Sequence, residues 1–119
     1  MPVEPTQGSE NRRHSRVPTR LRCWCEGENV TVYARIGNLS EGGLFLRTST
    51  PLPNGARTTL RFRDGESEEV SAEATVMWSR PGVGDQAGMG LKFGPMDARR
   101  HQAIRKMVEK HLQNVRQGE

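Results

Sequence analysis

The chain has 119 residues, of which 33% are hydrophobic and 27% charged, with 18 Lys and Arg against 14 Asp and Glu for a formal net charge of +4. That length supports one hydrophobic core rather than two, and so lean a core spares little for a deep catalytic cavity, which favours a binding module over an enzyme. The excess of positive charge implies an anionic partner without naming it, and no apolar run approaches the roughly 18 residues of a spanning helix.

Residues 1–10 hold two prolines, a glycine and few apolar side chains, the composition of a flexible leader, and they lack the basic-then-apolar plan of a signal peptide. The stretch NRRHSRVPTR follows, with Arg12, Arg13, Arg16 and Arg20 and no acid, whereas Glu66, Glu68, Glu69 and Glu73 cluster far downstream. The positive field is therefore local to an arginine strap over residues 11–19. Pro18 biases Val17 toward an extended conformation, which sets where the strap ends and the folded body begins.

A barrel is expected over residues 20–94. In RLRCWCEG, Leu21, Cys23 and Cys25 alternate with Arg20, Arg22 and Trp24, and in VTVYARIG, Val30, Val32, Ala34 and Ile36 alternate with Thr31, Tyr33 and Arg35. Both have the period of two of a strand with one buried face. On this reading Trp24 faces outward, and Arg20, Arg22, Arg35 and Arg47 lie on solvated strand faces. NLSEGG breaks the pattern as a tight loop before the strand LFLRT. After PLPNGA comes RTTLRFRD, then EVSAEATVMWSR, where Trp78 shares the parity of Val70, Ala72, Ala74 and Val76. That parity assigns Trp78 a core or edge position. Phe45, Phe62 and Phe93 are read as core-directed. The loop PGVGDQAG leads to a last strand, MGLKF, whose glycines allow close strand packing. About six short strands at intervals of roughly 8 to 14 residues indicate a small antiparallel barrel or sandwich.

The period changes over residues 97–115, where Ile104, Met107, Val108, His111, Leu112 and Val115 recur at three- and four-residue spacing. This is an amphipathic helix capped by Asp97, with its apolar stripe laid on the barrel.

Chemistry by the chain itself finds little support. No G-x-S-x-G occurs, His14, His101 and His111 are scattered, and the Cys-Trp-Cys spacing of Cys23 and Cys25 suits two buried free thiols better than a metal site. No catalytic residue, metal or cofactor is expected. GVGDQAGMG lacks the Lys-Ser/Thr ending of a phosphate loop and opens no helix. What remains is RRHSR and NLSEGG. Arg12 and Arg16 each carry a planar fork that matches a phosphate or the O6/N7 edge of guanine. Asn38 and Ser40, read as facing one side of an extended segment, add an amide and a hydroxyl, and Gly43 permits a backbone turn beside a bulky ligand.

Arg12-x-x-x-Arg16, followed 22 residues later by Asn38-x-Ser40-x-x-Gly43, resembles the paired signature of PilZ domains. The resemblance covers residues 11–115 and implies an all-β fold, a six-stranded antiparallel β-barrel with a C-terminal α-helix. It implies the ligand cyclic di-GMP, a bacterial second messenger, held by Arg12 and Arg16 with Arg13 assisting, and by Asn38, Ser40 and Gly43 from the barrel surface. Trp78 joins this set as the candidate stacking wall. Asn38 stands where many members have Asp, which removes a charge-assisted acceptor and bears on affinity. The expected role is a stand-alone cytoplasmic receptor that performs no chemistry and relays its signal to a protein partner in motility, polysaccharide or transcription machinery. The alternatives are an adaptor that keeps the fold without the ligand, and, less favoured, a small-barrel nucleic-acid binder. Insertion into a membrane is not expected.

Overall fold

The structure, a computed structural model, describes residues 16–65, 67–84 and 86–117, with the side chains of the helix described as far as Gln113. The expected leader, Arg12, Arg13 and Glu66 lie outside the described residues. Among the described residues, seven strands and one helix follow one another as β1 (Val17–Pro18), β2 (Arg22–Glu26), β3 (Thr31–Leu39), β4 (Gly43–Arg47), β5 (Arg57–Phe62), β6 (Val70–Arg80), β7 (Gly88–Phe93) and α1 (Ala98–Gln117). All pairings are antiparallel. The ring β3-β2-β5-β6-β7-β4 closes on itself through β3 and β4, so the six expected strands make a closed barrel.

The extra strand β1 is the departure from the sequence reading. Its residues pair with the far end of β3, Val17 with Leu39 and Pro18 with Asn38, while β2 pairs with the near end. Between them Thr19 is buried, and its hydroxyl donates to the carbonyl of Ile36 at 2.7 Å and accepts from the amide of Leu21 at 3.2 Å. The end of the arginine strap is thus already part of the sheet, because Val17 is a β-branched apolar residue with a core to enter.

The alternation read from the sequence fills that core. Cys23, Cys25, Ala34, Ile36, Leu60, Phe62, Val70, Ala72, Ala74, Val76, Met89 and Leu91 all point inward and are buried, while Trp24 and Tyr33 face out as their parity requires. Helix α1 starts where Asp97 Oδ1 accepts the Arg100 amide at 2.9 Å and lays Ile104, Met107 and Val108 on the core. It packs against β1 and β6. Two carboxylates tie it down: His111 Nε2 lies 3.2 Å and Lys110 Nζ 3.5 Å from the buried carboxylate of Asp64, and Glu41 meets His101 and Arg105 at 3.4 and 3.6 Å.

Both thiols are free and buried. Burial, reinforced by Cys25, pushes the Cys23 thiol from 9.0 up to about 12, and burial likewise raises Cys25, whose sulfur lies 3.1 Å from the Thr58 hydroxyl. A thiol that ionises less readily in the fold than in the unfolded chain contributes stability fully present below pH 9.0 and lost as pH rises toward about 12. The urea midpoint of the protein is therefore expected to fall between about pH 9 and about pH 11, and less so in Cys23→Ala. Equal alkaline slopes for the two proteins would remove Cys23 as the cause.

Candidate functional site

Two β-bulges build the site on the outside of the barrel. The first, between Ile36 and Asn38, sends Ile36 and Leu39 both inward and leaves Asn38 facing out. The second, between Val76 and Trp78, does the same to β6: Val76 stays in the core, and Trp78 turns outward at 39% exposure. A bulge adds one residue to one strand and inverts the face of everything after it. The parity that grouped Trp78 with the core residues is broken there, so Trp78 is a surface residue.

The bulges put five residues in one cross-strand row. Pro18 pairs with Asn38, Asn38 with Phe45, Phe45 with Gly90, and Gly90 with Trp78. Phe45 is therefore not core-directed. It stacks on Trp78 with ring centroids 5.4 Å apart and planes 20° from parallel. Gly90 lies beneath the indole, and a Cβ there would run into Trp78 Nε1, so the absent side chain is what lets the ring lie flat on β7. An open groove of about 320 Å³ runs along this row, lined by Arg16, Asn38, Phe45, Trp78, Arg80, Gln86 and Gly90.

The two halves of the sequence motif meet here. Arg16 Nη1 donates a 2.6 Å hydrogen bond to Asn38 Oδ1 across the mouth of the groove. On the opposite rim the Arg80 guanidinium sits 5.1 Å from the centre of the Trp78 ring and donates to the Gln86 carbonyl at 3.4 Å. The described lining carries two guanidinium groups and no carboxylate, around a stacked aromatic wall. Forked donors, an amide and an aromatic face are the groups that bind a purine nucleotide by its phosphate, base edge and base plane.

Of the residues picked from the sequence, Arg16, Asn38 and Trp78 come together in the groove. Ser40 and Gly43 do not reach it. The chain turns after Leu39, so Asn38 and Ser40 no longer share a face: Ser40 is 2% exposed, and its hydroxyl donates to the Gly43 carbonyl and accepts from the amides of Gly42 and Gly43, each at 3.2 Å. Gly43 is required by β7, since a Cβ would collide with the carbonyl of Leu91. Both residues hold the turn that carries β3 into β4, and with it the Asn38–Phe45 pair. Ser40→Ala is expected to lower stability by about 1–3 kcal/mol, because buried amides lose their acceptor. An unchanged urea midpoint would show that the hydroxyl does not hold the turn.

Phe45, Arg80, Gln86 and Gly90 were not singled out as site residues. For Phe45 a signal existed, since it sits between Leu44 and Leu46 on the opposite parity of β4.

Comparisons with known proteins extend this picture. The PilZ domain family model matches residues 10–110. The fold is similar to the PilZ domain with c-di-GMP of YcgR from Escherichia coli, at 18% identity and a TM-score of 0.69, over 89% of this chain and 95% of that one. It is similar to MrkH of K. pneumonia at 18% identity and a TM-score of 0.72, covering 90% of this chain and 49% of that one. The Bacillus subtilis inhibitor of motility MotI/DgrA is similar at 17% identity and a TM-score of 0.68, over 86% of this chain and 51% of that one. The chain thus spans about half the length of the last two. No curated protein matches it.

Proposed function

The chain belongs to the PilZ domain family, and on that basis we propose that it is a receptor for cyclic di-GMP that carries out no chemistry and passes its signal to a protein partner. The observation that carries the proposal is the Arg16–Asn38 contact, which joins the two motif segments at the mouth of a groove walled by Phe45 and Trp78. The E. coli domain of similar fold holds c-di-GMP, and family membership makes the same ligand the first to test here.

In the proposed complex the Arg16 fork engages a guanine O6/N7 edge or a phosphate, with Arg12 and Arg13 adding forks from the preceding segment. Asn38 offers its amide oxygen to the guanine N1 and N2 donors, and a guanine face stacks on Trp78. Ser40 and Gly43 serve by fixing the turn. The bond that Arg16 gives up on engaging the ligand is one to a neutral amide, which is weaker than the ion pair an aspartate would make. Asn38 therefore weakens two interactions together, the hold on guanine and the hold on Arg16.

The relay would start at the same place. The residues that follow Arg16 form β1, which is packed against α1, and Glu41 of the Ser40–Gly43 turn is held by His101 and Arg105 of that helix. Engagement of the arginine segment by a ligand in the groove would therefore bear directly on the helix. A similar structure being an inhibitor of motility is in keeping with output through a protein contact. Among the described residues no helix is long and apolar enough to cross a membrane.

Isothermal titration with cyclic di-GMP tests the reading. Saturable heat, accompanied by a rise in melting temperature, is the expected result; absence of both would refute it in favour of the ligand-independent adaptor.

A further inference from the structure

One strand step from the groove row lies a second cross-strand row, and it is made of arginine. Arg22 of β2 pairs with Arg35 of β3, Arg35 with Arg47 of β4, Arg47 with Gly88 of β7, and Gly88 with Arg80 of β6. Strands stand about 4.8 Å apart, so Arg22, Arg35 and Arg47 form a belt across the neighbouring strands β2, β3 and β4, with Arg80 set apart from it by Gly88. Like charges directly opposite one another destabilise a bare sheet. Four other arginines face carboxylates: Arg61 faces Glu26 and Glu69, Arg99 faces Glu68, Arg100 faces Asp97 and Arg105 faces Glu41. Arg22 and Arg35 have no carboxylate partner among the described residues. Arg22 lies 5.9 Å from the centre of the Tyr33 ring, and Arg35 Nε donates to the Thr19 carbonyl at 3.4 Å.

Beside Arg22 the belt adjoins an exposed aromatic pair. Trp24 and Tyr33 are cross-strand partners, their ring centroids are 4.4 Å apart, and they remain 43% and 52% exposed. Tryptophan, tyrosine and arginine are the residue types that carry most of the binding energy in protein interfaces, and here they sit together on rigid strands rather than on loops.

We propose that the face formed by Arg22, Trp24, Tyr33 and Arg35 is the docking surface for an acidic segment of a partner protein, whose carboxylates lie along the arginine belt and whose apolar side chains cover the aromatic pair. This rests on the proposed relay to a protein partner and names the chemistry of that partner. A protein is favoured over a single-stranded nucleic acid by the aromatic geometry. Trp24 and Tyr33 pack on each other at an interplanar angle of 37°, which spends the facing ring surfaces that successive bases would need as separate platforms. Charge complementarity selects the acidic class.

The test measures fluorescence anisotropy of a labelled glutamate-rich peptide on the full chain, with oligo-dT and phosphatidylglycerol vesicles as competing probes. Expected is saturable peptide binding that weakens about tenfold or more in Arg22→Glu/Arg35→Glu and in Trp24→Ala, and stays within about twofold in Arg99→Glu/Arg100→Glu, which reverses the same charge on the helix. Circular dichroism confirms that each variant folds. No saturable binding, or equal weakening by the helix reversal, overturns the proposal. Tighter binding of oligo-dT or vesicles with the same dependence on Arg22 and Arg35 assigns the face to nucleic acid or membrane and overturns it as well. Cyclic di-GMP titration of the same variants separates the two readings: unchanged ligand affinity with lost peptide binding is expected, and absence of ligand binding in the unaltered chain would refute the receptor reading while leaving the peptide result standing.

Discussion

Arg16→Ala is expected to weaken binding of cyclic di-GMP by about 10- to 100-fold, the effect of losing a hydrogen-bonding group that is itself charged. Its fork is the described guanidinium that bridges the arginine motif to Asn38, and the side chain is exposed, so nothing in the core depends on it. Stability should therefore stay within about 0.5 kcal/mol of the parent, the range of surface substitutions. Arg16→Lys separates charge from shape: lysine keeps the charge but lacks the planar fork, and an affinity between parent and alanine variant is expected. Arg20→Ala is the control, being exposed, outside the groove and in no hydrogen bond or ion pair among the described residues. Calorimetric titration of the three variants reads this directly. Parent-like affinity in Arg16→Ala would remove Arg16 from the site.

Gly90→Ala reaches the same groove from below. The added methyl group would occupy the space of the Trp78 indole, with Nε1, Cε2 and Cδ1 all in its way, and the ring must leave Phe45. Stacking on an aromatic side chain contributes about 1–3 kcal/mol per base, so losing the wall should weaken binding by about 5- to 100-fold. The indole is at the surface and has room to swing away, which keeps the cost to the fold near about 1 kcal/mol. The chain has two tryptophans, so a Trp24→Phe background leaves Trp78 as the sole reporter. In that background cyclic di-GMP is expected to quench the fluorescence, and Gly90→Ala to abolish the quenching at ligand concentrations that saturate the parent. Full quenching in Gly90→Ala would mean that the ring does not need the glycine floor.

The barrel was legible in the sequence wherever burial alternates without interruption. Cys23 and Cys25 in β2, Leu60 and Phe62 in β5, and Val70 to Val76 in β6 fell on the parity the structure uses, and Asp97 caps the helix as its position before the apolar stripe implies. Arg16 and Asn38 were found through a motif, and the structure brings them within hydrogen-bond distance. What stayed hidden follows from the bulges. One extra residue at Gly37 and another at Met77 reverse the facing of Asn38 and Trp78; a glycine inside a strand run is a signal for the first, whereas nothing in the local composition announces the second. Trp78 was picked as a candidate stacking wall, but its neighbours Phe45 and Gly90 were missed because the wall joins residues from β4, β6 and β7 whose adjacency is a property of the closed ring. β1 was missed because two residues are too few to show a period.

The outward turn of Trp78 at the second bulge has a consequence for how this protein can change over generations. The side chains that walled off the groove face away from the core, and the packing that keeps the barrel closed lies on the other side of the same strands. Substitutions at Asn38, Phe45, Trp78 and Arg80 can therefore accumulate without a matching set of repairs inside. The groove can therefore be altered while the scaffold stays as it is, and the constraint falls instead on glycines such as Gly43 and Gly90, where a Cβ meets a neighbour.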